Sequence, residues 1–250
     1  MTTREPHLLT TFADRPGPLP SVLLHPAGGG LGQYLPLAAR LARLGPVHGV
    51  RAAGLLEGER PDNSVPEMIH RYEAELAQLR LKPRLLVGWS LGGVLAWELA
   101  ARLAGSGPAP AVVMIDSFAE QEPDTTARGA VAEAVEQSVT ALGAGDDSAR
   151  ARDTALAHIT AAGTHRTRVG HDGEALLIAC AGPHRNVQVG HWQQLTDRLT
   201  VENLDCGHFE VFQPGNRERL LQSLEAFLTR LTTTASPVTV AGTAAGETSR

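Results

Sequence analysis

The run Leu85-Leu86-Val87-Gly88-Trp89-Ser90-Leu91-Gly92-Gly93 constrains this chain more than any other. Its apolar opening reads as a buried strand, and Val94-Leu95-Ala96-Trp97-Glu98-Leu99-Ala100-Ala101 after it reads as a helix. Between them stands G-x-S-x-G, which forces a serine onto a sharp strand-to-helix turn. Such a turn leaves no room for side chains two residues to either side, so Gly88 and Gly92 answer a steric demand. The turn lifts the Ser90 hydroxyl to the carboxyl edge of a sheet. It also sets the backbone N–H of Leu91 at a helix N-terminus, where a developing oxyanion is stabilised. A chance match to so short a pattern is the competing reading, and the flanking strand and helix argue against it.

A nucleophilic serine needs a histidine base and an acid to orient that base, and after an elbow of this kind the acid precedes the histidine. Ala111-Val112-Val113-Met114-Ile115-Asp116-Ser117 is an apolar strand ending on a carboxylate, which makes Asp116 the candidate acid. The next apolar run, Ala175 to Ala181, leads into Gly182-Pro183-His184-Arg185-Asn186, where no carboxylate competes. An aspartate that only caps the turn is the alternative. Of ten histidines, His208 follows the alternating segment 200–204 and precedes a terminal helix over 217–231, so it is the candidate base. Gly207 is expected to free the turn and Phe209 to anchor it. Asp205 is a rival acid, although a carboxylate so close in sequence usually caps a turn. His25 is expected to hydrogen-bond within its own loop, and His165, His171, His184 and His191 to be solvated or part of a lid.

A second oxyanion donor should come from the loop after an early strand. Ser21-Val22-Leu23-Leu24-His25 is that strand and Pro26-Ala27-Gly28-Gly29-Gly30 the loop. Its glycines let backbone approach a ligand, so the N–H of Ala27 is the candidate and that of Gly28 the fallback. A phosphate-binding loop would need a following Gly-Lys-Ser/Thr, which is missing.

His25-Pro26-Ala27-Gly28-Gly29, Val50-Arg51-Ala52-Ala53-Gly54-Leu55, the elbow, Asp116 after its strand and Gly207-His208-Phe209 together resemble the thioesterase domains that close nonribosomal peptide and polyketide assembly lines. The resemblance spans residues 8 to 231. It implies an α/β-hydrolase fold: a mostly parallel sheet with helices on both faces and a helical lid insertion. It also implies that an acyl or peptidyl chain passes from the phosphopantetheine thioester of a carrier protein onto Ser90, and is then released to water or to an internal nucleophile. The implied partner is an acyl or peptidyl carrier protein, with no bound cofactor.

Composition fits one sizeable domain over 1–231, with 42% hydrophobic and 20% charged residues. Net charge of -5 gives no electrostatic case for nucleic acid. No stretch is apolar enough to span a bilayer, and the first residues lack a signal core, so a cytoplasmic location is expected. Cys180 and Cys206 read as reduced thiols, and no spacing suggests a metal site. Helices are expected over 31–44 and 64–79, the second opened by a capping box of Ser64 and Glu67, with a short strand Val47–Val50 between them. Strands alternating with helices imply right-handed crossovers and a shared carboxyl edge.

The connection 118–172 is too long for an ordinary crossover. Helices are expected over 125–142 and, more weakly, 148–162, forming a lid that is thinly anchored and mobile. A rigid decoration is the alternative. Arg150, Arg152, His165, Arg166, Arg168 and His171 gather near its end, and Arg166 and Arg168 are the candidate carrier-docking residues, against the plainer reading of a solvated charge run. Residues 232–250 are expected to be disordered. Hydrolytic release is the expected function, with acyl transfer or macrocyclisation by the same triad, or editing of stalled carriers, as the alternative; a general carboxylesterase fits less well, and the intact Ser90, Asp116 and His208 argue against a non-catalytic carrier-binding module. With no carrier domain before Met1, action in trans is expected.

Overall fold

The computed structural model describes residues 7–120 and 146–234. Seven strands form one sheet: β1 (Leu9–Ala13), β2 (Ser21–Leu24), β3 (Val47–Val50), β4 (Leu85–Trp89), β5 (Ala111–Ile115), β6 (Ala175–Cys180) and β7 (Leu199–Leu204). Their order is β1-β3-β2-β4-β5-β6-β7, with β1 antiparallel to β3 and every other neighbour parallel. Strands β4, β5 and β6 are buried at every position, as strands covered on both faces must be. Successive side chains alternate between the two faces. Leu86, Val112, Met114 and Leu177 enter one core, while Leu85, Val87, Val113 and Ile178 enter the other. This is the α/β-hydrolase arrangement.

Six helices are described. Helix α1 (Leu35–Leu41) follows a 3-10 turn at Gly32–Tyr34, so the expected helix over 31–44 is shorter and begins later. Pro36 has no N–H to give an α-helical bond and is tolerated only in a first turn, which fixes the start. Helix α2 (Val65–Gln78) is capped by Ser64, whose hydroxyl accepts the Glu67 N–H at 3.3 Å. The Glu67 carboxylate reaches one residue further back than a capping box requires, accepting from the Asn63 N–H at 2.9 Å. Helix α3 (Leu91–Ala104) runs from the elbow through the middle of the first core.

Helix α4 (Asp146–Thr164) corresponds to the helix expected over 148–162, whereas the one expected over 125–142 lies outside the described residues. Ala151, Thr154, Ala155, His158 and Ala161 form its buried face. Small side chains there bring the helix close to the body: a Cβ on Gly54 would lie 2.6 Å from the Thr154 hydroxyl. Helix α5 (Arg185–Gln193) stands where the sequence suggested only a loop. Helix α6 (Pro214–Thr234) starts at its proline, before the expected 217, and runs past 231. Residues 232–234 are therefore helical rather than disordered, and 235–250 lie outside the described residues. Among the described residues no helix is long and apolar enough to cross a membrane.

Candidate active site

The strand order brings the carboxyl ends of β2, β4, β5, β6 and β7 to one edge; Ala27, Ser90, Leu91, Asp116 and His208 lie just beyond the ends of β2, β4, β5 and β7, whereas Arg166 and Arg168 follow helix α4. Ser90 has φ 57° and ψ −125°, a left-handed conformation that a side chain adopts only under constraint. Its N–H donates to the Ile115 carbonyl at 2.9 Å, tying the elbow to β5. A Cβ on Gly88 would lie 1.9 Å from the Gly92 carbonyl oxygen, one on Gly92 would lie 2.4 Å from the Leu24 oxygen, and one on Gly93 would meet the Ser117 hydroxyl at 2.0 Å.

Asp116 and His208 meet. The His208 Nδ1–H donates to Asp116 Oδ2 at 2.7 Å, which fixes the tautomer and leaves Nε2 as the basic nitrogen. The imidazole also stacks on Trp89, the residue before Ser90, with centroids 5.0 Å apart, so the ring is held against the elbow. Phe209 packs edge-on to both rings, as an anchor for the loop. Gly207 has φ −72°, open to any residue, so its expected conformational freedom is not used; its N–H instead donates to Glu210 Oε2 at 2.8 Å.

Burial of Asp116 pushes its pKa up. Donation from His208, the positive charge that ring gains, the Gln188 amide at 3.0 Å and the Cys180 N–H at 3.1 Å together outweigh burial and hold the carboxyl below the usual carboxylate range. The carboxylate is thus kept ionised to stabilise an imidazolium. The rival Asp205 is solvent-exposed and lies 3.7 Å from Arg185, on the surface rather than against His208.

The first oxyanion candidate, the Leu91 N–H, is in the first turn of α3, where amides lack intrahelical partners. The second, Ala27, lies in a tight turn closed by the Gly29 N–H on the Pro26 carbonyl at 2.8 Å. Gly29 has φ +78°, so glycine is required there, whereas a Cβ on Gly30 would meet open space. His25 is fully buried and does hydrogen-bond within its loop, to the Pro26 carbonyl.

Three residues invisible to the sequence reading secure the site. The Tyr34 hydroxyl sits between the ends of β2 and β4, accepting from the Trp89 N–H at 2.7 Å and donating to the Leu24 carbonyl at 2.8 Å. Gln188 and Trp192 of α5 both donate to the Ser117 carbonyl, at 3.1 and 2.8 Å, bracing the Asp116 turn. A glutamine and a tryptophan four apart share a helix face, and that spacing was the available signal.

Several surface expectations change. His171 is buried, donates to the Pro110 carbonyl at 2.9 Å and packs edge-on to Trp97, so it is neither solvated nor part of a basic surface. His165 pairs with Glu98 at 2.8 Å, and Arg150 pairs with Asp147. Arg166 and Arg168 share the Glu120 carboxylate, at 2.7 and 3.4 Å, leaving Arg168 the more exposed. Cys180 and Cys206 are buried free thiols. Among the described residues no group of three or more His, Cys, Asp or Glu could hold a metal ion.

Comparison with known proteins places this geometry. The chain is 36% identical over 85 residues to the nonribosomal peptide synthetase btyA of Aspergillus terreus (strain NIH 2624 / FGSC A1156), covering 34% of this chain and 9% of the relative. It is 30% identical over 112 residues to the dimodular nonribosomal peptide synthase of Bacillus subtilis (strain 168), covering 44% and 5%. The match thus spans a small part of each relative's length. In three dimensions it is similar to the Vlm2 thioesterase domain bound with a dodecadepsipeptide, with TM-score 0.72 and 19% identity over 87% of this chain and 97% of that one. Residues 20–228 match the family model described as the thioesterase domain, and the chain belongs to that family.

Proposed function

We propose that this chain releases an acyl or peptidyl chain from the phosphopantetheine thioester of a carrier protein by hydrolysis through an acyl-enzyme on Ser90. The observation that carries this reading is the 2.7 Å Asp116–His208 pair, its imidazole stacked on Trp89 beside a serine on a strained elbow. His208 Nε2 accepts the Ser90 proton as the oxygen attacks the thioester carbonyl. The Leu91 and Ala27 N–H groups receive the resulting oxyanion. Collapse breaks the C–S bond, and the imidazolium returns its proton to the departing thiolate. Water, deprotonated by the same nitrogen, then attacks the acyl-enzyme; the C–O bond to Ser90 breaks, the imidazolium returns its proton to Ser90 Oγ and the acid is freed. The relatives that are nonribosomal peptide synthetases, and a depsipeptide-bound structural neighbour, support a carrier-borne chain as substrate.

Intact mass of the products after mixing with an acyl-loaded carrier is the test. Free acid with regenerated carrier thiol is expected, and at higher kcat/KM than hydrolysis of a simple aryl ester. A cyclic or transferred product would replace hydrolysis by acyl transfer, and preference for the aryl ester would make the enzyme a general esterase. Helix α4 acts as part of a lid: a covalent acyl analogue on Ser90 should slow hydrogen exchange there, and exchange matching that of β4 in the free enzyme would remove the gating role. Arg166 and Arg168 serve carrier docking. Reversing both to glutamate should lower kcat/KM for the carrier thioester in a salt-sensitive way and spare a small free thioester.

A further inference from the structure

Behind the Pro26–Gly30 turn lies a buried set of polar side chains that the proposed chemistry does not use: His25, Tyr72 and His158. The imidazoles of His25 and His158 stack with centroids 5.0 Å apart, and Tyr72 stands edge-on to His25. Each ring nitrogen facing the turn meets a backbone carbonyl. His25 Nδ1 is 2.8 Å from the Pro26 oxygen and His158 Nδ1, brought in by α4, is 3.1 Å from the Ala27 oxygen. A carbonyl only accepts, so both nitrogens carry hydrogen. His25 Nε2 is then an acceptor, and the Tyr72 hydroxyl, 2.5 Å away, donates to it.

We propose that His25, fixed in its Nδ1–H tautomer by Tyr72, is a positioning residue for the oxyanion donor, and that His158 clamps the next peptide of the same turn. The inference rests on the reading of Ala27 as that donor. The peptide unit is planar and trans, so its N–H points opposite to its C=O. The Pro26 carbonyl and the Ala27 N–H belong to one such unit. Holding the carbonyl with His25 Nδ1–H and the Gly29 N–H therefore aims the Ala27 N–H. Two donors on one carbonyl also polarise the peptide and strengthen its N–H as a donor. The fallback donor, Gly28 N–H, shares its peptide with the Ala27 carbonyl that His158 holds. Each candidate donor thus has an imidazole behind it. Because His158 rides on α4, seating of that helix and the shape of the oxyanion turn are linked.

Both rings must stay neutral for this geometry. Burial, the neighbouring His158 and, in opposition, the Pro26 carbonyl leave the His25 pKa at about 3. Burial, partly opposed by the Ala27 carbonyl, leaves His158 at about 4.

The test compares Tyr72→Phe and His25→Leu with wild type on a butyryl thioester of N-acetylcysteamine and on a medium-chain alkyl trifluoromethyl ketone, whose adduct with Ser90 carries an oxyanion. We expect kcat to fall about tenfold for Tyr72→Phe and about a hundredfold for His25→Leu, with KM little changed. Affinity for the ketone should fall by the same factors while titration with a fluorophosphonate still counts nearly one active serine per chain. In wild type, 15N shifts should report protonated Nδ1 and bare Nε2 for His25 from pH about 8 down to about 5. Unchanged ketone affinity in Tyr72→Phe, a loss confined to the titratable fraction, or the opposite His25 tautomer would overturn the proposal; Tyr72→Phe and the wild-type spectrum decide it even if His25→Leu does not fold. Failure of the fluorophosphonate to label wild-type Ser90 would instead sink the serine mechanism itself.

Discussion

Mild acid should destabilise this enzyme from behind its oxyanion turn. The folded pKa of His25 is lowered from 6.5 to about 3 and that of His158 from 6.5 to about 4, in both cases chiefly by burial. A lowered pKa means that the folded state refuses a proton the unfolded chain accepts. The associated stability is fully present above pH 6.5 and is lost as pH falls towards the folded values. From pH about 7.5 to about 5, each unfolded ring gains close to one proton while the folded ring gains almost none. The loss is about 2 kcal/mol per ring and about 4 kcal/mol for the pair. His171 and His48, also lowered by burial, add to the loss; Asp62, raised by burial, opposes it. Asp116 is held low and stays ionised across this range. Against a typical stability of about 5–15 kcal/mol the effect is large, on the order of 10 °C in melting temperature. Urea titrations at a series of pH values, with the slope m checked for constancy, measure it. His158→Gln, which keeps a polar side chain but does not titrate, should remove about half of the pH dependence. A flat unfolding free energy from pH about 7.5 to about 5, or an unchanged slope in His158→Gln, would refute the assignment of these rings as buried and neutral.

Other consequences are local. Gly88→Ala drives a Cβ into the Gly92 carbonyl and should cost more than about 3 kcal/mol in urea unfolding, while Gly30→Ala, facing open space, should stay within about 1 kcal/mol. Asp116→Asn removes the acceptor that sets the His208 tautomer and should lower kcat on the order of 10⁴-fold; Asp205→Asn, exposed and away from the imidazole, should leave steady-state kinetics nearly unchanged. Tyr34→Phe strands the buried Trp89 N–H and Leu24 carbonyl together. It should cost about 2–4 kcal/mol by chemical denaturation and lower kcat through a loosened elbow.

The elbow could be read in the sequence because its determinants lie within a few residues: a buried strand, two sterically required glycines and an apolar helix. Asp116 and His208 could be chosen because topology dictates both their order and the sheet edge they share. What stayed hidden depends on distant partners. Tyr34 is a turn residue until the ends of β2 and β4 close around its hydroxyl, 55 positions from its donor Trp89. Helix α5 follows a Gly-Pro pair and has a mostly polar surface, so Gln188 and Trp192 gave no strong period. Strand β1 is a half-exposed antiparallel edge whose two adjacent threonines break any alternation, so it is defined by pairing with β3 rather than by its own pattern. His171 looked solvated because its neighbours are charged, yet the Pro110 carbonyl and Trp97 draw it inward.

The central claim is that Ser90 carries the chain between carrier and water, with His208 and Asp116 driving both halves of the reaction. Rapid acid quench of enzyme mixed with an acyl-loaded carrier, followed by peptide mass mapping, tests it most directly. The account predicts an acyl mass increment on the peptide containing Ser90, formed within the first turnover, absent in Ser90→Ala and accumulating when His208 is replaced after acylation is forced with an activated ester. Turnover with no covalent adduct, or an increment that persists in Ser90→Ala, would contradict it.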